Sequence, residues 1–209
     1  MTSRNEQTLR FYEETASSYV EKTLTVDMSV AQDKFLRLVR PGGRVLDAGC
    51  GSGRDARAFM NQGFEVSAFD GSAEMARLAS AYLGMPVQTL RFQDLDYCSE
   101  FDGIWACASL LHLEAEELDD AFARIFRALR PGGIFYASFT HGADTRFQDG
   151  RLFSDMSRHR FAQLCEASGG QYYNHWFDPL PQRNRNWVSF LARASMRPRP
   201  VGTPYTGRT

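Results

Sequence analysis

The segment RVLDAGCGSGRDA, residues 44–56, sets Gly49, Gly51 and Gly53 at alternate positions, with Asp47 two residues before the first. Each glycine costs backbone entropy on folding, so three in five residues need a reason. Without Cβ atoms a ligand can lie directly against the backbone, which is what a cofactor loop requires. Two loop chemistries can be tested on the spacing. A dinucleotide loop, G-x-G-x-x-G, needs its third glycine where Arg54 stands. A P-loop needs Gly-Lys-Ser/Thr, which is missing here. What remains is D-x-G-x-G-x-G, with no lysine to neutralise a phosphate. The four cysteines, Cys50, Cys98, Cys107 and Cys165, show no C-x-x-C or metal-finger spacing, so no metal site is expected.

The elements that must hold this loop follow from periodicity. RVLDAG is a short apolar strand and GRDARAFMNQ a helix that opens at the glycines. FEVSAFD, VQTLRF, FDGIWACASLL and IFYASF read as further strands. Between them come the helices SAEMARLASAYL and EAEELDDAFARIFRAL, the second acidic at its start and basic at its end, as the helix dipole prefers. This alternation over residues 44–139 specifies parallel strands with right-handed crossovers. Upstream, residues 4–22 read as one or two helices and 29–39 as another, stopped by Pro41-Gly42-Gly43. Downstream, HGADTRFQDG reads as a polar loop, LFSDM as a short strand or lid element, and SRHRFAQLCEAS as a helix. QYYNHWFDP and NWVSFLARA read as two strands without a helix between them, an antiparallel finish. The fold class is therefore α/β, a Rossmann-like doubly wound sheet of seven mostly parallel strands with an antiparallel C-terminal pair. One domain is expected over residues 1–194, with 1–40 as N-terminal helices and a possible lid, and 195–209 as a disordered or non-native tail.

The 209 residues carry a net charge of −1, so no broad basic field points to nucleic acid or an anionic membrane surface. At 43% hydrophobic and 23% charged the composition is that of a globular protein with a sizeable core. No window approaches the ~20 apolar residues of a membrane span. The opening MTSRNEQTLRFYEE lacks the apolar stretch of a signal peptide, and Cys107 in an apolar run suits a buried free thiol. A reducing, cytoplasmic setting is expected.

The glycine segment resembles the first motif of the class I S-adenosylmethionine-dependent methyltransferases. The likeness extends in order through FEVSAFD, FQDLDY, FDGIWACASLLHL and ALRPGGIFYASF, covering about residues 40–140. Its wording is most similar to the small-molecule and tellurite-resistance (TehB-like) branch. The resemblance implies S-adenosyl-L-methionine as cofactor and assigns residues to it. Asp70, twenty-three residues after Asp47, takes the place of the acid that receives the ribose hydroxyls, and a carboxylate can accept both bonds of a cis-diol. Asp94, followed by Leu95, matches the acid that receives the adenine amine. Asp47 and backbone carbonyls near Gly49, between Ala48, Cys50 and Gly51, offer acceptors for the ammonium. Arg54 reaches the carboxylate or faces solvent. Gly71, Ser72 and Met75 lie beside the ribose and adenine. Ala108, Ser109 and His112 lie near the sulfonium.

Methyl transfer then requires in-line alignment and exclusion of water, and a general base only for a protonated nucleophile. His141, His112 and Tyr19 are the candidate bases, with Tyr19 also a cofactor contact. No Asn/Asp-Pro-Pro-Tyr/Phe motif follows the fourth strand, which argues against adenine-amine methylation in nucleic acid. A small-molecule methyl acceptor is the expected partner. The alternatives are an RNA or protein methyltransferase docking through the basic segment Arg183 to Arg199, and a noncatalytic cofactor-binding module. Each assignment also has a structural alternative. Gly49–Gly53 can be a tight turn, Asp70 a helix-terminal charge, and Asp94 or Asp96 a turn residue. His112 can be a packing or cap residue, His141 a loop residue, and Phe11, Tyr12 and Tyr19 helix packing.

Overall fold

A computed structural model describes residues 3–178 and 187–196. The Pro/Asn/Arg-rich stretch LPQRNRN, residues 180–186, which joins the last two expected strands, and residues 197–209 of the expected tail lie outside these. Five strands, β1 (Arg44–Ala48), β2 (Glu65–Asp70), β3 (Gln88–Thr89), β4 (Phe101–Cys107) and β5 (Leu129–Thr140), pair in parallel. The strands β8 (Gly170–Asp178) and β9 (Trp187–Ala194) complete one sheet in the order β3-β2-β1-β4-β5-β9-β8. β9 runs antiparallel to both neighbours, so it alone among the described strands of this sheet is reversed. The strand order turns back between β1 and β4, and in such sheets the crevice for a ligand opens there, beyond the carboxyl ends of the strands.

Helices cover both faces. On one, α2 (Ser29–Leu36) and α3 (Arg54–Asn61) bury Phe35 and Phe59 against Trp105 and Tyr136, whose rings stack at 3.6 Å across the β4–β5 register. On the other, α5 (Glu117–Ala128) and α6 (Arg158–Ala167) set Phe122, Ile125 and Phe161 on Phe135 and Phe190. The helix α4 (Ala73–Leu83) starts at Ser72, whose hydroxyl accepts the Met75 N–H at 3.2 Å. No helix among the described residues is long and apolar enough to cross a membrane.

Two boundaries differ from the sequence reading, and a third point is narrowed. Residues 4–22 form one 20-residue helix, α1 (Arg4–Thr23), started by a reciprocal Ser3–Glu6 capping box. The third strand shrinks to Gln88–Thr89, because Phe92 and Leu95 turn into the core through a short 3-10 turn. The stretch read as a polar loop contains β6 (Thr145–Gln148), which pairs with β7 (Arg151–Ser154) as a hairpin. Its turn is Asp149-Gly150, both at positive φ (51° and 76°), the conformation a two-residue hairpin turn demands.

Candidate functional site

A cavity of about 1020 Å³ opens beyond the carboxyl ends of β1, β2, β4 and β5. The glycine loop forms one wall. Gly49, Gly51 and Gly53 all have positive φ (73°, 54° and 77°), where side chains other than glycine are strained. Packing adds a separate reason at the first position: a Cβ on Gly49 would stand 2.5 Å from Cβ of Ser109, whose hydroxyl donates to the Ala48 carbonyl at 2.7 Å. Gly49 and Gly51 both line the cavity, and of the two only Gly51 has room for a side chain. A Cβ there would point between Met75 Cε at 3.7 Å and Tyr19 Cε1 at 3.9 Å.

Three acids shape this wall. Asp70, at the end of β2, accepts the Gly51 N–H through one carboxylate oxygen and the Ser72 N–H through the other, each at 2.9 Å. It thus ties the glycine loop to the start of α4, with lone pairs left for a ligand in the cavity. Burial raises its pKa, opposed by those backbone N–H groups. Asp47 accepts the Ala56 N–H at 3.0 Å, and burial, with Asp55 next, holds its pKa well above the usual carboxylate range. Asp55 is buried, receives Gln32 Nε2 at 2.7 Å and Trp105 Nε1 at 3.0 Å, and pairs with Arg54 at 2.8 Å. Arg54 lines the cavity and does not run out to solvent, because it also donates to the Thr23 carbonyl at 3.2 Å.

The roof is α1. Glu13 accepts the Ala73 and Glu74 N–H groups at 2.7 and 3.0 Å and so caps α4 from another helix. Thr8 Oγ1 accepts the Leu152 N–H at 2.9 Å, and the Tyr12 hydroxyl meets His112 Nε2 at 2.7 Å. His112 Nδ1 lies 2.6 Å from the Leu152 carbonyl, which can only accept, so Nδ1 carries the proton and Nε2 takes the Tyr12 hydrogen. Burial raises the Tyr12 pKa well above its usual value, with Tyr19 adding to it, and keeps that hydroxyl protonated.

Burial pulls His112 from 6.5 down to about 4. In that interval the unfolded chain binds a proton that the folded chain refuses. Stability therefore rises with pH through the interval and is lost as pH falls from about 6.5 toward about 4. A His112→Gln variant should escape this loss: between about pH 7.5 and pH 4.5 the wild type is expected to lose roughly 2–3 kcal/mol more than the variant in urea unfolding. Equal pH slopes in the two proteins would remove His112 as the titrating group.

Of the residues expected from sequence, the cavity brings together Asp47, Gly49, Cys50, Gly51, Arg54, Asp70, Gly71, Met75, Ala108, Ser109, His112 and Tyr19. The others are placed elsewhere. Asp94 is exposed and turned away, while Leu95 is buried in the core; Gln93 and Leu90 reach the wall instead. His141 is exposed and packs on Phe177 at 5.1 Å, because alternation along β5 sends Ser138 and Thr140 to the cavity and the next residue outward. Ala48, Gly53 and Ser72 support the wall from behind. Sequence reasoning missed the far wall, made by Arg146, Arg151 and Phe153 of the hairpin and by Trp176 and Trp187. The Asp-Gly turn was the available signal for that hairpin.

Comparison with known proteins agrees with this geometry. Residues 45–133 match a family described as a methyltransferase domain. A solved structure of the 1,6-didemethyltoxoflavin-N1-methyltransferase of Burkholderia thailandensis, with 1,6-didemethyltoxoflavin and S-adenosylhomocysteine bound, is 26% identical. It superposes with a TM-score of 0.75 over 93% of this chain and 92% of that one. This chain carries a class I S-adenosylmethionine-dependent methyltransferase domain. Curated relatives share it. A malonyl-[acyl-carrier protein] O-methyltransferase of Pectobacterium atrosepticum is 32% identical over 169 residues, 68% of this chain. An uncharacterized methyltransferase of Staphylococcus carnosus is 28% identical over 137 residues, 64% of this chain. The chain spans 64% of the length of each of these two relatives. The matched part of the methyltransferase domain runs from β1 into the start of β5, so it includes the glycine loop and Asp70 but not the β6–β7 hairpin.

Proposed function

We propose that this chain transfers the methyl group of S-adenosylmethionine to a small-molecule acceptor. The carrying observation is one continuous cavity that joins the Gly51–Asp70 wall to the β6–β7 hairpin, large enough for two small ligands side by side. The donor set fits the cofactor. The Asp70 oxygens suit a ribose diol, the Cβ-free face of Gly51 leaves room for the methionine chain, and Met75 suits a purine face. Asp47, whose ionised form is disfavoured by its surroundings, is the acceptor an ammonium would stabilise.

S-adenosylmethionine supplies a methyl on a sulfonium whose thioether leaves unaided, so the protein's work is alignment and dehydration. α1 closes the cavity with Tyr12 and Tyr19. The Tyr12–His112 pair lines the cavity, and His112 is a poor general base there, because burial lowers its pKa and both ring nitrogens are already hydrogen-bonded. RNA or protein docking through residues 183–199 finds little support, since Trp187–Ala194 is an interior sheet strand; the rest of that segment, apart from Ser195 and Met196, lies outside the described residues.

The test is incubation with methyl-labelled S-adenosylmethionine and a bacterial extract, fractionated by size. Label in small molecules is the expected result, and label confined to RNA or protein would overturn it. A second expectation concerns α1. Thr8 and Ala16 are its buried residues and none of its side chains is part of a hydrophobic core cluster, so it belongs to the less stable parts of the molecule. Hydrogen exchange over residues 4–22 should slow when S-adenosylhomocysteine binds. Unchanged exchange, with full affinity after removal of residues 1–22, would leave the helix a permanent structural cover.

A further inference from the structure

The hairpin wall holds two guanidinium groups on one ring. Arg146 and Arg151 lie over Phe153 with centroid distances of 5.0 and 5.2 Å. Their electrostatic situations differ. Arg146 is paired with Asp155 and donates to Thr140 Oγ1 at 3.1 Å. Arg151 sits between Phe153 and Phe11, 4.6 Å from the second ring centroid, and pairs with no carboxylate among the described residues. Its Nε–H is buried and makes no hydrogen bond, as is true of Arg146 Nε, and its guanidinium interacts with the Tyr12 hydroxyl. A buried donor left open costs about 1–3 kcal/mol, and a guanidinium in a partly dry wall favours an anion with two oxygens. Asp149, the nearest acid along the hairpin, is exposed at the turn and is held by Gln148 Nε2 at 3.2 Å. At this end of the cavity the Phe153 ring meets His112 at 5.2 Å, and His112 meets Tyr12 at 5.3 Å; Trp176 lines the cavity beside Lys34.

We infer that Arg151 anchors the acceptor by an anionic oxygen group, carboxylate or phosphate, and that the acceptor is a planar aromatic compound seated against the Phe153, His112 and Tyr12 rings. This rests on the proposed methyl-transfer reading and narrows its substrate class. Aromatic faces provide stacking area, and the flanking rings hold the guanidinium flat, so few rotamers are lost when two parallel N–H···O bonds form. Because the anchor lies on the hairpin, outside the matched residues 45–133, it can set acceptor choice without touching the glycine-loop wall.

The test uses full-length protein saturated with S-adenosylhomocysteine and calorimetric titration of matched pairs: 2-naphthoate against 2-naphthamide, and 2-naphthyl phosphate against 2-naphthol. The anionic member of at least one pair should bind about tenfold tighter or more, and the pair that shows it tells carboxylate from phosphate. Arg151→Gln should erase the preference and leave S-adenosylhomocysteine affinity unchanged. Arg151→Met, which keeps the stem packed between the rings, gives the same readout if the glutamine variant does not fold. Equal affinity within both pairs, a preference that survives both variants, or no binding by any of the four compounds would overturn the inference. Failure of S-adenosylhomocysteine to bind the wild type would count against the methyl-transfer reading instead. The four titrations on free protein would then decide the role of Arg151 by the same outcomes.

Discussion

Gly51→Val is expected to abolish measurable S-adenosylhomocysteine binding while leaving a folded protein. Two effects combine. The backbone at residue 51 has φ of +54°, which costs an L-residue about 1–2 kcal/mol and a β-branched one more. The new Cβ would project into the cavity between Met75 and Tyr19, and its methyl groups would occupy the path assigned to the methionine chain. The first effect lowers stability modestly, because Gly51 lies at a cavity wall and not in the packed core. The second removes the ligand's space, so a loss of about 100-fold or more in affinity should accompany a drop of a few degrees in melting temperature. Gly51→Ala separates the two, since it pays most of the backbone strain and fills far less of the cavity. Normal affinity in the valine variant would mean that the loop is a turn and nothing more.

Asp70→Ala is expected to weaken S-adenosylhomocysteine by about 3 kcal/mol, roughly 100-fold. The carboxylate would serve a ribose diol and also holds the Gly51 and Ser72 N–H groups at 2.9 Å each. Its loss therefore removes ligand acceptors and frees the loop that shapes the pocket. Asp70→Asn keeps one acceptor oxygen but turns an amide toward one of the two backbone donors, so it should fall between wild type and alanine. Calorimetric titration of the folded variants decides this, and an unchanged dissociation constant in the alanine variant would take Asp70 out of the site.

What could be read from sequence was whatever depended on local chemistry and strand alternation. The D-x-G-x-G-x-G loop and the following acid lie next to one another because β1 and β2 are parallel neighbours, a consequence of the βαβ rule, and the structure places Asp70 on the Gly51 amide. Strand β9 was legible because two strand patterns followed one another with no helix between them. Where expected residues do not line the cavity, the causes are physical. Asp94 fits a motif by position, but burial of Phe92 and Leu95 dictates which way the 3-10 turn rotates, and Asp94 is left outside. His141 follows the right strand but on the wrong parity, and one residue of alternation moves a side chain to the opposite face. The Glu13 cap on α4 and the Tyr12–His112 bond join residues 60 and 100 positions apart, so no local pattern announces them. Arg151 fell between the stretch read as a polar loop and the one read as a short strand or lid, and its lack of an acidic partner is visible only in three dimensions.

A crystal structure of the S-adenosylhomocysteine complex decides whether Gly51 and Asp70 form the cofactor cradle. Ribose hydroxyls are expected within hydrogen-bonding distance of the Asp70 carboxylate, the homocysteine chain against the Cβ-free face of Gly51, and the sulfur directed toward the hairpin wall. Density for the ligand away from Asp70 and Gly51, or a cradle still filled by the Met75 and Tyr19 side chains at saturating ligand, would contradict that role.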